Sequence, residues 1–348
     1  VDRILAALWP NADPYLVAVK MQPLRPEDIT IAITVYDRQA YIGQAIRSAI
    51  AQRCEIQPKV IVIEDCSPNP TLRESVIKEF GHQIQYFRNP RRRGLFDNWN
   101  ACIEACRTSW LCILHDDDCL EPTFVESMLE LAGAATSRAL YYGLGDIVDV
   151  VGQPRELRPR STSFAWHELD LEEWTRYDPV CFPAQLFNID AARAVGGFRA
   201  SSHYTADWEM WFKLALAYGA VATNRVVARY REHHSIGRGT TAVDLSGRKY
   251  ACVNMQRKRH IAWLREKRPG LRFDRQALFR ESPLPSRFIL YYGYRLSPVM
   301  LRYNAGLLLI STAPDLGYRL VQVFVRLFSW RSVRLCSWIF QLVTSRKP

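Results

Sequence analysis

Three β-rich runs in the first third of the chain each end in acidic residues. Ile29–Val35 is followed by Asp37, Val60–Ile63 by Glu64 and Asp65, and Trp110–Leu114 by Asp116, Asp117 and Asp118. A further short strand is read at Ile84–Phe87. Helical stretches separate the runs. Tyr41–Ala51 sets Ile42, Ala45, Ile46, Ala49 and Ile50 on one face, and Leu72–Phe80 and Gly94–Arg107 follow. Strands that alternate with helices predict an open parallel sheet, and the continuous apolar run at Val60–Ile63 fits a strand covered on both faces. Ligands of such sheets sit beyond the carboxyl ends of the strands, so the acidic residues are expected on one functional rim. Pro122 is expected to open another helix, to about Leu131. Neither a Gly-x-Gly-x-x-Gly fingerprint nor a Gly-Lys-Ser/Thr phosphate loop occurs.

The run Leu111-Cys112-Ile113-Leu114-His115-Asp116-Asp117-Asp118 brings an apolar strand to three carboxylates. Their mutual repulsion is relieved by a cation with hard oxygen ligands, Mg²⁺ or Mn²⁺, which commonly holds a substrate diphosphate as well. A solvated acidic turn that caps the next helix is the plainer alternative. Asp207 precedes an apolar stretch, Trp208–Ala217, and serves there either as a general base or as a helix N-cap. Arg91-Arg92-Arg93 form either a diphosphate or anionic-acceptor contact or a solvated turn. Trp166, Trp174, Tyr177, Phe182, Tyr204 and Trp208 bracket the same region, as sugar-stacking rings or as core.

Seven segments together resemble one known family. Ile33-Thr34-Val35-Tyr36-Asp37-Arg38 is similar to its Ile-Pro-Thr-Tyr-Asn-Arg, and Ile61 to Ser67 to its Val-Val-Asp-Asp-Gly-Ser. Asn89–Gly94 with Asn98-Trp99-Asn100 resembles its Asn-x-Gly segment, and Leu114–Asp118 with Pro122 its Asp-x-Asp strand end. Gly196-Gly197-Phe198, Thr205–Trp211 and Tyr230-Arg231-Glu232-His233 follow in the family's order. The chain therefore resembles the family 2 glycosyltransferases, inverting enzymes of the GT-A fold: α/β, a Rossmann-like mixed, mostly parallel sheet with flanking helices.

The resemblance implies a metal-dependent transfer from a nucleotide-diphosphate sugar, a UDP-sugar first, to a glycan or lipid-linked acceptor. It implies Thr34, Tyr36, Asp37, Asp65, Asp116 and Asp117 at the donor. It implies Asp117, Asp118 and His233 at the Mn²⁺ or Mg²⁺, and Asp207 as the base. Among the departures from the pattern, Thr34 stands for Pro, Glu64 for the first Asp of its pair, His115 for the first Asp of Asp-x-Asp, and Ala206 for the Glu before the base. Ala206 and His115 keep open a catalytically inactive sugar-nucleotide-binding scaffold.

Three regions are expected: a lead-in over 1–28, a catalytic domain over 29–245 and a helical, basic, amphipathic extension over 246–348. Residues 1–248 hold 27 Lys/Arg against 31 Asp/Glu, a net of −4, whereas 249–348 hold 19 against 4, a net of +15. In the extension Arg319, Gln322, Arg326 and Ser329 share one helical stripe, and Arg331, Arg334, Ser337 and Gln341 another, each beside a wide apolar face. Such helices lie in an anionic membrane surface or pack on the catalytic domain or a second subunit of a homo-oligomer. A nucleic-acid-binding protein is the weaker reading of the charge, because nucleic-acid arms are polar as well as basic. The nine cysteines lie mostly in apolar runs and read as reduced thiols. With no signal peptide visible at Val1–Pro10, the expected location is the cytoplasm, peripheral at the inner face of the membrane.

Overall fold

The structure is a computed structural model that describes residues 19, 21–158, 163–168, 170–233 and 248–267. The described residues fall in two compact units, one ending at His233 and the other holding a helix, Arg248–Lys267. The amphipathic stripes beyond residue 300 and most of the lead-in lie outside the described residues.

The first unit is built on one sheet with the strand order β3-β2-β1-β4-β9-β6-β10-β5. Its first half is parallel. Strand β1 (Ile29–Val35) lies between β2 (Lys59–Glu64) and β4 (Trp110–His115), with β3 (Gln85–Arg88) outside β2. A parallel pair needs a crossover. Helix α1 (Gln39–Ile50) supplies the one between β1 and β2, and it buries Ile42, Ala45, Ile46 and Ala49 as its spacing predicts. Helices α2 (Leu72–Phe80) and α3 (Leu95–Ala105) make the next two crossovers. All seven residues of β1 are buried, as expected of a central strand covered on both faces.

After β4 come the two-residue strand β5 (Cys119–Leu120) and helix α4, which begins at Phe124 and runs to Ala134. Pro122 therefore sits in the turn before the helix. The second half of the sheet consists of β6 (Leu140–Val148), β9 (Gln185–Asn188) and β10 (Ala220–Arg231), with β7 (Pro154–Glu156) and β8 (Trp166–His167) on its margins. Strand β9 is antiparallel to both β4 and β6, and β10 is parallel to β6. The sheet is thus mixed and mostly parallel. The ends of β1, β2, β4 and β10 that carry the candidate residues all face one rim. Among the described residues no helix is long and apolar enough to cross a membrane, and seven cysteines are free.

Candidate active site

Strand β2 delivers Asp65, which is almost fully buried. Its Oδ1 accepts from the Arg93 N–H at 2.6 Å and from Asn89 Nδ2 at 3.2 Å, and its Oδ2 accepts from the Gly94 N–H at 2.8 Å. Asp65 thereby pins the loop that starts helix α3, where Gly94 has φ +85. Next to it, Glu64 is wholly buried and holds Tyr86 Oη, the Ser67 N–H and the Arg88 guanidinium. The loop arginines divide their work. Arg93 forks onto Glu104 at 2.7 and 2.8 Å, Arg92 lies 4.2 Å over the Tyr36 ring, and Arg91 is exposed. Thr34 is buried near the end of β1, in register with Ile63 and His115, and Asp37 is exposed just beyond it.

Strand β4 delivers His115 and the three aspartates, all three of which are buried. The His115 ring stacks on Phe182, at 4.1 Å, and lies beside Trp99, at 5.6 Å, the three rings forming one cluster, and its Nε2 accepts from Trp99 Nε1 at 3.2 Å. Asp117 Oδ2 takes both His233 Nε2, at 2.8 Å, and the Arg38 guanidinium, which also lies 3.6 Å from Asp116 Oδ1. Strand β10 ends in Arg231. Its N–H donates to Asp118 Oδ1 at 2.8 Å, its Nε to the Asp117 carbonyl at 2.7 Å, and its remaining nitrogens to Asp149, Val150 and Gln44.

Even with these cations the aspartates remain under-compensated. Burial raises Asp118 to about 7 and Asp116 to about 6, against the lowering effect of Arg38. Asp118 Oδ2 is buried without a hydrogen-bond partner; His115 Nδ1 stands 3.5 Å from it. An orphaned carboxylate oxygen beside two other carboxylates is the electrostatic environment that a hard divalent cation relieves. Candidate ligand atoms of His115, Asp117 and Asp118 lie within 4.8 Å of one another. The Trp99 N–H on Nε2 puts the proton of the neutral His115 ring on Nδ1, toward Asp118. The carboxylates of Asp117 and Asp118 are therefore the better ligands, and His115 is a neighbour that steadies Asp118. Burial lowers the pKa of this histidine to about 4, which keeps it neutral.

Asp207 lies within electrostatic reach of His115. Helix α7 spans Ala206–Tyr218 with Thr205 at its N-cap, so Asp207 lies within the first turn and not before the helix. Its Oδ1 accepts from the Trp208 N–H at 2.8 Å. Burial raises Asp207 to about 6, while His115 lowers it slightly. A second carboxylate, Asp178, is held well above its ordinary value by burial and by the charge on Asp207. No sequence signal marks Asp178, which lies in an irregular stretch after the four-residue helix α5 (Leu171–Trp174). The rest of the first turn is anchored by Glu209, which binds Ser202, Arg199 at 2.7 Å and Lys213 at 2.8 Å. Although burial opposes it, these cations hold Glu209 down to about 2. Of the aromatic residues nearby, Trp174, Phe182 and Trp208 are core, while Trp166 and Tyr177 are exposed.

Residues 30–185 match the family model described as Glycosyl transferase family 2. Among curated proteins, the chondroitin synthase of Escherichia coli is 26% identical over 187 residues, which is 54% of this chain and 26% of that protein. An uncharacterized glycosyltransferase of Rickettsia typhi is 23% identical over 212 residues, 59% of this chain and 64% of that protein. This chain thus spans less than two thirds of either relative. Among solved structures, S. aureus TarS 1-349 in complex with UDP-GlcNAc superposes with a TM-score of 0.53 at 13% identity, over 86% of this chain and 91% of that one. The same region of TarS with UDP gives a TM-score of 0.51. At this identity the likeness is one of fold.

Proposed function

We propose that this chain, whose residues 30–185 are a glycosyl transferase family 2 domain, transfers a sugar with inversion from a nucleotide-diphosphate donor to a glycan or lipid-linked acceptor. The observation that carries the reading is the buried β4 aspartate cluster, with an orphaned oxygen on Asp118, and Asp207 within electrostatic reach of the neighbouring His115. Their surroundings suit a cation and a base respectively. The donor nucleoside would lie along Thr34, Tyr36 and Asp65 at the ends of β1 and β2. A UDP-sugar is favoured, since a structure of the same fold is a complex with UDP-GlcNAc.

Asp117 and Asp118 would hold Mg²⁺ or Mn²⁺, with Asp116 and His233 beside them. That ion would supply neutralisation of the leaving diphosphate. The chain's own groups do the rest. An acceptor hydroxyl attacks the anomeric carbon, the bond from that carbon to the diphosphate oxygen breaks, and its electron pair leaves with the diphosphate. Asp207 takes the hydroxyl proton. With its pKa at about 6 it is ionised at neutral pH yet more basic than an ordinary aspartate, as a general base requires. Attachment to an anionic membrane surface through 249–348 extends the reading to a lipid-linked acceptor, and flotation with anionic vesicles tests it.

The central test is donor turnover with a panel of sugar nucleotides, with and without Mn²⁺, for the wild type and Asp207→Asn. The variant is expected to keep donor affinity and to lose about 10²–10⁴ in turnover. A variant that binds donor poorly but turns over normally would place Asp207 in the donor pocket instead.

A further inference from the structure

The guanidinium of Arg38 occupies the oxygen that a metal at Asp117 would need. It bonds Asp117 Oδ2 and reaches to 3.6 Å from Asp116 Oδ1, so it bridges two of the three aspartates. The arginine side chain is 39% exposed, whereas that of Asp117 is 6% exposed. The carboxylate is thus fixed in the wall, and the cation that covers it lies on the open side. Arg231, by contrast, is buried and spends its donors on Gln44 and the carbonyls of Asp117, Asp149 and Val150, so it has no freedom to leave. Arg38 follows directly on strand β1 and precedes helix α1, where a side chain can swing without moving an element.

We propose that Arg38 is a resident counter-cation of the aspartate cluster, and that a divalent metal enters by displacing it from Asp117. The inference rests on the metal reading given above. One oxygen cannot serve a guanidinium nitrogen and a metal ion at full strength. The two cations also repel each other across a site of low dielectric. In the metal-free enzyme Arg38 pairs with the Asp117 carboxylate and holds it in place. With the metal bound, the freed guanidinium stands at the mouth of the site with a positive charge to offer an incoming diphosphate.

Calorimetric titration of Mn²⁺ alone into the full chain tests this, with no donor and no turnover measured. Arg38→Met is expected to bind Mn²⁺ about tenfold more tightly than the wild type or better, since it removes both competitor and repulsion. Arg38→Lys keeps the charge on a differently shaped head and is expected to fall between them; it carries the test if the Met variant does not fold. Mn²⁺ binding by Arg38→Met where the wild type shows none would support displacement in its strongest form. Equal or weaker binding by both variants than by a wild type that does bind would overturn the role of Arg38. Failure of all three proteins to bind Mn²⁺ would overturn the metal reading, and the displacement with it.

Discussion

The side-chain amide of Asn100 closes two hydrogen bonds on the backbone of Phe198: Nδ2 donates to the carbonyl at 2.8 Å, and Oδ1 accepts from the N–H at 2.9 Å. Asn100 belongs to helix α3, behind the loop held by Asp65. Phe198 ends the Gly-Gly-Phe segment that leads to Asp207. One side chain therefore ties the donor side to the segment that carries the base. Gly197, at φ +65, passes so close that an added Cβ would lie 2.6 Å from Asn100 Oδ1.

Asn100→Ala should lower stability by about 1–3 kcal/mol, because two partly buried backbone groups lose their partner. Gly197→Ala should cost at least as much, from a disfavoured φ and the steric conflict together. Thermal melts of both variants check this. If either melts like the wild type, the clasp is not a structural tie.

Cys66 stands where the family carries glycine and has φ +52. A thiol-bearing residue tolerates this region at a cost that glycine avoids, while a β-branched residue does not. Cys66→Gly should stay within about 1 kcal/mol of the wild type, the relief of strain being offset by the greater freedom of the unfolded chain. Cys66→Val should lose about 2 kcal/mol. Urea midpoints distinguish the two, and equal midpoints would show that the turn relaxes.

The half-buried Asp207 gives a pH dependence of defined sign. Its folded-state pKa, at about 6, lies above the ordinary value of 3.8. The folded form therefore binds more protons than the unfolded one between these values, and this carboxyl's contribution to stability is lost as pH rises through 6. Asp207→Asn should melt higher than the wild type at pH 8, by the equivalent of about 1–3 kcal/mol, and close to it at pH 3.5. Turnover should run the other way and fall below pH 6 as the base is protonated. A variant that melts lower at pH 8 would show that the charged form is favoured by its surroundings.

Asp117→Ala should abolish metal-dependent binding of a nucleoside diphosphate and leave the fold intact. Equilibrium dialysis with UDP and Mn²⁺ measures the first, and circular dichroism the second. Retained binding, or wild-type turnover in chelator, would remove the ion from the reaction.

The parallel half of the sheet was legible because its strands are continuous apolar runs and its helices are amphipathic. Helix α2 begins and ends where its spacing predicts, and helix α1 buries four of the five residues read on its face. The acidic strand ends meet on one rim because parallel neighbours must point the same way. Strands β6, β9 and β10 were not read. Strand β9 has four residues, all buried, and too short a run to separate strand from helix. Asp178 was missed for a related reason: an irregular loop has no period, so its approach to Asp207 depends wholly on tertiary packing. The clustering of His115 with Trp99 and Phe182 joins residues far apart in sequence, and no local pattern announces it.

The three side chains that meet Asp117 and Asp118 differ in when a ribosome makes them. Arg231 and His233 lie 113 to 116 residues after the aspartates they touch, while Arg38 precedes Asp117 by 79. A growing chain therefore completes β1, β2 and β4 with their acidic ends well before the end of β10 emerges. During that interval Arg38 is the one of the three already at hand to neutralise the cluster. The closing arm must then be fixed over a longer loop, which delays long-range pairing more than it weakens it. The aspartate rim is thus an early product of synthesis, and the arm that finishes it arrives with β10.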